Sequence, residues 1–179
     1  MRCFIALPLP LEIKDALESV QSQLKSESSK IRWVAKKNLH LTLKFLGDID
    51  ETKVNLTKQT LSSLSFRSFQ VKLGPLGVFP SSHHPKILWV DLIPQQDIFS
   101  LQGEIDLALG FLFKKEERFT VHLTIGRIVT LKKPAIFFQK LNEFHVPPLS
   151  FNFTSFELFK STLATHGPSY TLLETYHLT

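Results

Sequence analysis

Long apolar runs are missing from this chain, and cysteine nearly so. No stretch approaches the roughly 20 consecutive apolar residues that span a bilayer, which excludes a helical membrane span. The lone cysteine, Cys3, excludes an internal disulfide and fits a reducing compartment. The apolar stretch Cys3 to Leu9 behind Arg2 lacks a small-residue cleavage site after it, and Pro8, Pro10, Glu12 and Lys14 arrive too early for a secretory signal. A cytoplasmic protein is expected. Cations are not gathered into a run: Lys36-Lys37, Lys114-Lys115 and Lys132-Lys133 spread a formal net charge of +5 along the chain. That balance favours a polyanionic partner without marking a binding site.

What the chain does have is a repeat. His40-Leu41-Thr42-Leu43 returns in the second half as His122-Leu123-Thr124-Ile125, each copy closely followed by a basic residue, Lys44 or Arg127. The surroundings are apolar and β-branched, so both copies read as strands, on which alternate side chains share a face. His and Thr then point one way and the Leu or Ile the other. By this parity Lys44 joins His40 and Thr42, whereas Arg127 points outward unless Gly126 permits a bulge. A third copy, His177-Leu178-Thr179, stops at the end of the sequence and is expected to be inert.

At 179 residues the chain can bury a core of its own, and residues 1–179 are read as one domain of two packed lobes. Arg2 to Leu7 reads as a strand; after Pro10, Ile13, Ala16, Leu17, Val20 and Leu24 fall at helical spacing. Strands follow at Ile31 to Val34 and Leu39 to Leu46, then a helix from Glu51 to Leu64 with Asp50 as N-cap. Phe69 to Phe79 is a strand interrupted by Gly74-Pro75. Pro80-Ser81-Ser82-His83-His84-Pro85 is the clearest loop and the expected connection between lobes. Lys86 to Ile93 is a strand, Ile98 to Leu109 a helix ending near Gly110, Phe119 to Val129 the second motif strand, and Pro134 opens a short helix. Leu149, Phe151 and Phe153 alternate, then Phe156 and Leu158 fall out of phase, which predicts a bulge or a crossing between sheets near Thr154-Ser155. Tyr170 to Leu178 is the last strand. The fold class is α+β: bilobal, two antiparallel β-sheets facing a central cleft, helices packed outside, with pseudo-twofold symmetry.

One His-Thr strand from each lobe across a shared cleft makes a chemistry. In-line opening of a phosphodiester needs a base for the attacking water, an acid for the leaving oxygen and donors for the non-bridging oxygens. Imidazole suits both proton roles because its ordinary pKa lies near neutrality, and threonine hydroxyls can donate to phosphoryl oxygens. Neither motif is accompanied by a cysteine pair or a His-Glu cluster, so neither a metal nor any other cofactor is expected. Phe4 offers a ring for base stacking, but among sixteen phenylalanines core packing is the expectation.

Several segments together, Arg2 to Pro8, Trp33 with Asn38 to Gly47, Lys86 to Val90, Phe119 to Arg127 and Gly167 to Tyr170, resemble the two-histidine (2H) phosphoesterase superfamily. More narrowly they resemble its RNA 2',3'-cyclic phosphodiesterases, once described as 2'-5' RNA ligases. Val121 departs from the proline often found before the second histidine. The resemblance implies hydrolysis of 2',3'-cyclic phosphate RNA ends to 2'-phosphates without a metal. It makes His40 the proton donor to the 3' oxygen, His122 the proton acceptor from water, and Thr42, Thr124 and Arg127 the phosphate-binding residues. The partner is an RNA or oligonucleotide end, no membrane is involved, and a monomer is expected. Two alternatives stay open: a 2'-5' ligase or 2'-5' phosphodiesterase of the same superfamily, and a non-catalytic RNA-binding protein.

Overall fold

Along most strands apolar side chains alternate with polar ones, so each sheet can bury one face and leave the other open. The computed structural model describes residues 1–165 and 167–179 and follows that rule. In chain order it has β1 (Arg2–Pro8), α1 (Leu11–Leu24), β2 (Ser29–Trp33), a 3-10 turn (Lys36–Asn38), β3 (His40–Asp48), α2 (Glu51–Ser62), β4 (Phe69–Phe79) and β5 (Ile87–Ile93). Then come α3 (Gln96–Ala108), β6 (Leu123–Leu131), α4 (Pro134–Glu143), β7 (Ser150–Phe153), β8 (Ser155–Ala164) and β9 (Gly167–His177). Asp50 caps α2 as expected, its carboxylate accepting from the Lys53 amide at 2.8 Å.

Two antiparallel sheets result, one ordered β3-β1-β8-β9 and the other β2-β6-β5-β4-β7. Apart from the added edge strand β2, the orders correspond: β3 beside β1 matches β6 beside β5, with α1 and α3 as the equivalent connecting helices. The buried faces meet the helices in one continuous core running from Cys3 to Leu178. Among the described residues no helix is long and apolar enough to cross a membrane.

Two expectations need correction. The loop Pro80 to Pro85 does not join the lobes; β4 and β5 pair directly with each other, so it closes a hairpin within one sheet. The chain passes between sheets elsewhere, and β7 and β8 lie in different sheets with only Thr154 between them, which is the crossing that the phase change at Phe156 predicted. Lys44 does not share the face of His40 and Thr42. Ala6 pairs with Thr42 and Ile5 with Lys44, so Leu43 is an extra residue, a β-bulge that turns Lys44 to the core side.

Buried there at 4% exposure, Lys44 must be neutralised, since an unpaired internal charge would be expensive. Its ammonium donates to Asp106 of α3 and to the Lys114 carbonyl at 2.8 Å. The other Asp106 oxygen accepts from Gln102 Nε2 at 2.8 Å and from the Glu116 amide at 3.0 Å. Burial alone would raise the Asp106 pKa; the ammonium and these two donors outweigh it and hold the carboxyl below its usual range. Removing one member strands the other, so Lys44→Met is expected to lower unfolding free energy by about 3–5 kcal/mol. Lys44→Met/Asp106→Leu should recover much of the loss in urea denaturation, and an additive double variant would refute the pairing.

Candidate active site

Both motif histidines are anchored in the same way. His40 Nδ1–H donates to the Asn38 carbonyl at 2.7 Å and His122 Nδ1–H to the Thr120 carbonyl at 2.8 Å, each two residues upstream. This anchoring places the proton of the neutral ring on Nδ1 and leaves Nε2 of each ring outside the anchor. His40 opens β3, whereas His122 stands just before β6 in extended chain, so the second motif strand begins later than its sequence predicted. His40 Nε2 accepts from Thr42 Oγ1 at 2.9 Å. Asn38, itself buried, donates from Nδ2 to the Pro168 carbonyl at 2.8 Å and so ties the His40 anchor to the start of β9.

The register assigns the faces. On the first sheet Phe4 lies opposite Phe45 and Phe159, and Ala6 opposite Thr42; the alternate residues Cys3, Ile5 and Leu7 belong to the core. Phe4, Thr42, Phe45 and Phe159 therefore share the open face with His40. On the second sheet Trp89 lies opposite Thr124 and Ile87 opposite Arg127, while Leu88 and Val90 are buried.

Arg127 reaches this face through a bulge. Leu88 pairs with Gly126 and Trp89 with Thr124, so Ile125 is the extra residue, the same motif position as Leu43. Gly126 is required for packing, because a Cβ there would lie 2.6 Å from Ile31 Cγ2. Because both bulges fall at the same place, the residue-by-residue equivalence of the copies holds through them. Lys44 corresponds to Gly126, and the true counterpart of Arg127 is Phe45, which is 71% exposed. Each bulge is held from behind by a helix: Asp106 of α3 through Lys44, and Gln21 of α1, whose Nε2 donates to the Ile125 and Val34 carbonyls at 2.9 Å.

The half-sites meet across the cleft. Tyr170 packs edge-on against His40, with ring centroids 5.3 Å apart, and feels the charge of Arg127 from the opposite sheet. Its phenol is raised by burial and partly offset by that guanidinium. Phe4 stacks on His40 at 4.9 Å and is buried, so it serves packing, as expected, and is not free for a base. Phe79 meets His122 edge-on at 5.2 Å and stacks on Trp89. Gly77 makes room for that indole, because a Cβ there would fall 2.2 Å from Trp89 Cζ2. Tyr170, Asn38, Gln21 and Asp106 had no assigned role in the sequence, since each acts through a partner distant along the chain. Among the described residues no three His, Cys, Asp or Glu side chains converge as metal ligands. His177, at the end of β9, stands outside these contacts.

Enclosure sets the protonation of His40. Burial lowers the His40 pKa to about 4; the Asn38 bond pulls it up and Lys14 pushes it further down. His40 is therefore neutral at pH 7 in the free protein. Its folded pKa lies below the unfolded value, so the unfolded chain takes up the proton first. The resulting stability is intact above pH 6.5 and is lost, by about 3 kcal/mol, as pH falls through 4. In an NMR titration His40 should change charge near pH 4; a midpoint at 6.5 would show that the pocket does not desolvate it.

The family model described as LigT like Phosphoesterase matches residues 7–89 and again residues 90–170. An RNA 2',3'-cyclic phosphodiesterase of Methanocaldococcus jannaschii is 34% identical over 177 residues, covering 97% of this chain and 99% of its own. One of Thermotoga maritima is 30% identical over 178 residues, covering 97% of this chain and 93% of its own. Among solved structures the Thermus thermophilus protein TT0787 has a TM-score of 0.80 at 25% identity, over 99% of this chain and 98% of that one. The chain belongs to the LigT-like phosphoesterases, a two-histidine family whose repeated half it contains twice.

Proposed function

We propose that this protein hydrolyses RNA 2',3'-cyclic phosphate ends to 2'-phosphates, with the whole chain, 1–179, working as one bilobal monomer in the cytoplasm and with no metal. The observation that carries this reading is the pair of His-x-Thr half-sites, each imidazole anchored at Nδ1 so that Nε2 is left for proton transfer. The 34% identical relative bearing that activity supports the choice of substrate.

Water attacks phosphorus as its proton passes to His122 Nε2, and the P–O3' bond breaks as His40 Nε2 gives its proton to the leaving oxygen. Thr42, Thr124 and Arg127 hold the non-bridging oxygens and stabilise the charge that builds on them. His40 must gain a proton before it can act as donor. The phosphate anion favours this when it takes Thr42 Oγ1 away from Nε2 and sets a negative charge beside the ring. A 5'-hydroxyl in the position of the water would give a 2'-5' linkage instead, and hydrolysis is the preferred reading because water is always in excess.

Incubation with a nucleoside 2',3'-cyclic phosphate should yield the 2'-phosphate, and His40→Ala or His122→Ala should each lower kcat by about 10²–10⁴-fold. A 3'-phosphate product would reverse the assignment of the leaving oxygen; equal inertness of wild type and variants would leave RNA binding alone. A strong chelator should leave the rate unchanged, and abolition would overturn the metal-free route. As proton donor His40 must be charged, so its titration near pH 4 in the free protein should appear on the alkaline limb of kcat/KM, which reports the uncomplexed groups.

A further inference from the structure

The two walls of the cleft differ in kind. On the second sheet Arg32 of β2 lies directly opposite Arg127 of β6, and both are exposed. Along β2, Ile31 and Trp33 pack toward the core, so Lys30 and Arg32 share the other face, the one that Arg127 and Thr124 occupy. Lys30, Arg32 and Arg127 thus form a short row of cations. Among the described residues none of the three makes an ion pair. Beyond Lys30 the row opens into a groove of about 750 Å³ lined by Glu27, Ser29, Lys30, Lys132 and Lys133 among others. Among the described residues the facing sheet offers no such row near the motif, although Lys14 of α1 acts on His40 there. Its open face carries Phe45 at 71% exposure, Leu172 at 51%, and the half-buried Phe159 and Tyr170.

We infer that Lys30 and Arg32 bind the backbone phosphates of the RNA strand leading up to the cyclic end, while Phe45 on the opposite wall receives a base. The inference rests on the cyclic phosphodiesterase reading only for which end of the strand lies at the histidines. Three arguments support it. The cations continue from Arg127, so a strand whose terminal phosphate sits there must leave along one of few directions, and this one is lined with positive charge. Cations on one side and exposed aromatic surface on the other suit a single strand, whose backbone is anionic and whose bases have apolar faces. An acidic peptide would use the cations but not the apolar wall. Finally, Phe45 and Arg127 occupy equivalent places in the two motif copies, so the repeat has diverged at one position into a stacking group and an anion-binding group.

The test separates the strand path from the chemistry. Lys30→Ala, Arg32→Ala and the double variant are compared with wild type on a nucleoside 2',3'-cyclic phosphate and on a short oligouridylate ending in the same group. The nucleotide should be hydrolysed at the wild-type rate by all. For the oligonucleotide, kcat/KM should fall about three- to tenfold per cation removed, and the slope of its logarithm against log salt should shrink by about 0.7 for each. Equal effects on both substrates, or none on the oligonucleotide, would overturn the path. Binding of the 2'-phosphorylated oligonucleotide, followed by fluorescence anisotropy, should lose affinity and salt slope in parallel, and it reads the path even if wild type hydrolyses neither substrate, which would refute the function instead. Phe45→Ala should weaken that binding with the salt slope unchanged. Tighter binding of an acidic peptide of matched charge would overturn RNA as the occupant.

Discussion

A single extra residue after each motif threonine governs this site. Leu43 and Ile125 are bulges at the same place in the two copies, and each rotates the strand beyond it by one face. Without the first, Lys44 would enter the cleft and Phe45 the core; without the second, Arg127 would point away from the threonine that it stands beside. A bulge leaves ladder groups unpaired, and both are secured from the core side. Asp106 of α3 neutralises the displaced ammonium of Lys44, and Gln21 of α1 donates to the carbonyl of Ile125. The helix that connects β1 to the rest of its half braces β6, and the helix following β5 braces β3. Each half therefore braces the other's motif.

Symmetry of anchoring and asymmetry of enclosure coexist. Each imidazole gives its Nδ1 proton to a carbonyl two residues back, so both present Nε2 in the same sense. His40, however, lies against Phe4 and Tyr170 and is desolvated, whereas among the described residues His122 meets one ring, that of Phe79, edge-on. Desolvation disfavours a resting proton on His40, so under the proposed roles the bound phosphate must supply the negative charge that restores it. The enclosure comes from Phe4 of β1 and Tyr170 of β9, which pack against His40.

Much of the architecture was legible because strand and helix periods are local properties. The apolar alternation of Phe151 and Phe153 followed by the shifted Phe156 located the crossing between sheets, and Asp50 marked the start of α2. The lobe connection was misread at Pro80 to Pro85 because a polar loop signals a turn without revealing which strands pair on either side of it. Lys44 was misread for a related reason: parity along a strand holds only while the register is unbroken, and a bulge is decided by the partner strand. Arg127 does turn to the cleft face through a bulge, but the extra residue is Ile125; Gly126 serves packing against Ile31, and the equivalent bulge at Leu43 forms without a glycine.

By itself the sequence determined the chemistry on offer: two His-x-Thr copies, an α+β order and an excess of cations are fixed by residue types and their spacing. The tertiary structure alone decided which residues share the cleft, because that depends on register, and register arises from hydrogen bonds between strands remote along the chain. It also decided how the two equal motifs differ, since desolvation of His40 comes from Phe4 and Tyr170, side chains whose approach no local pattern encodes.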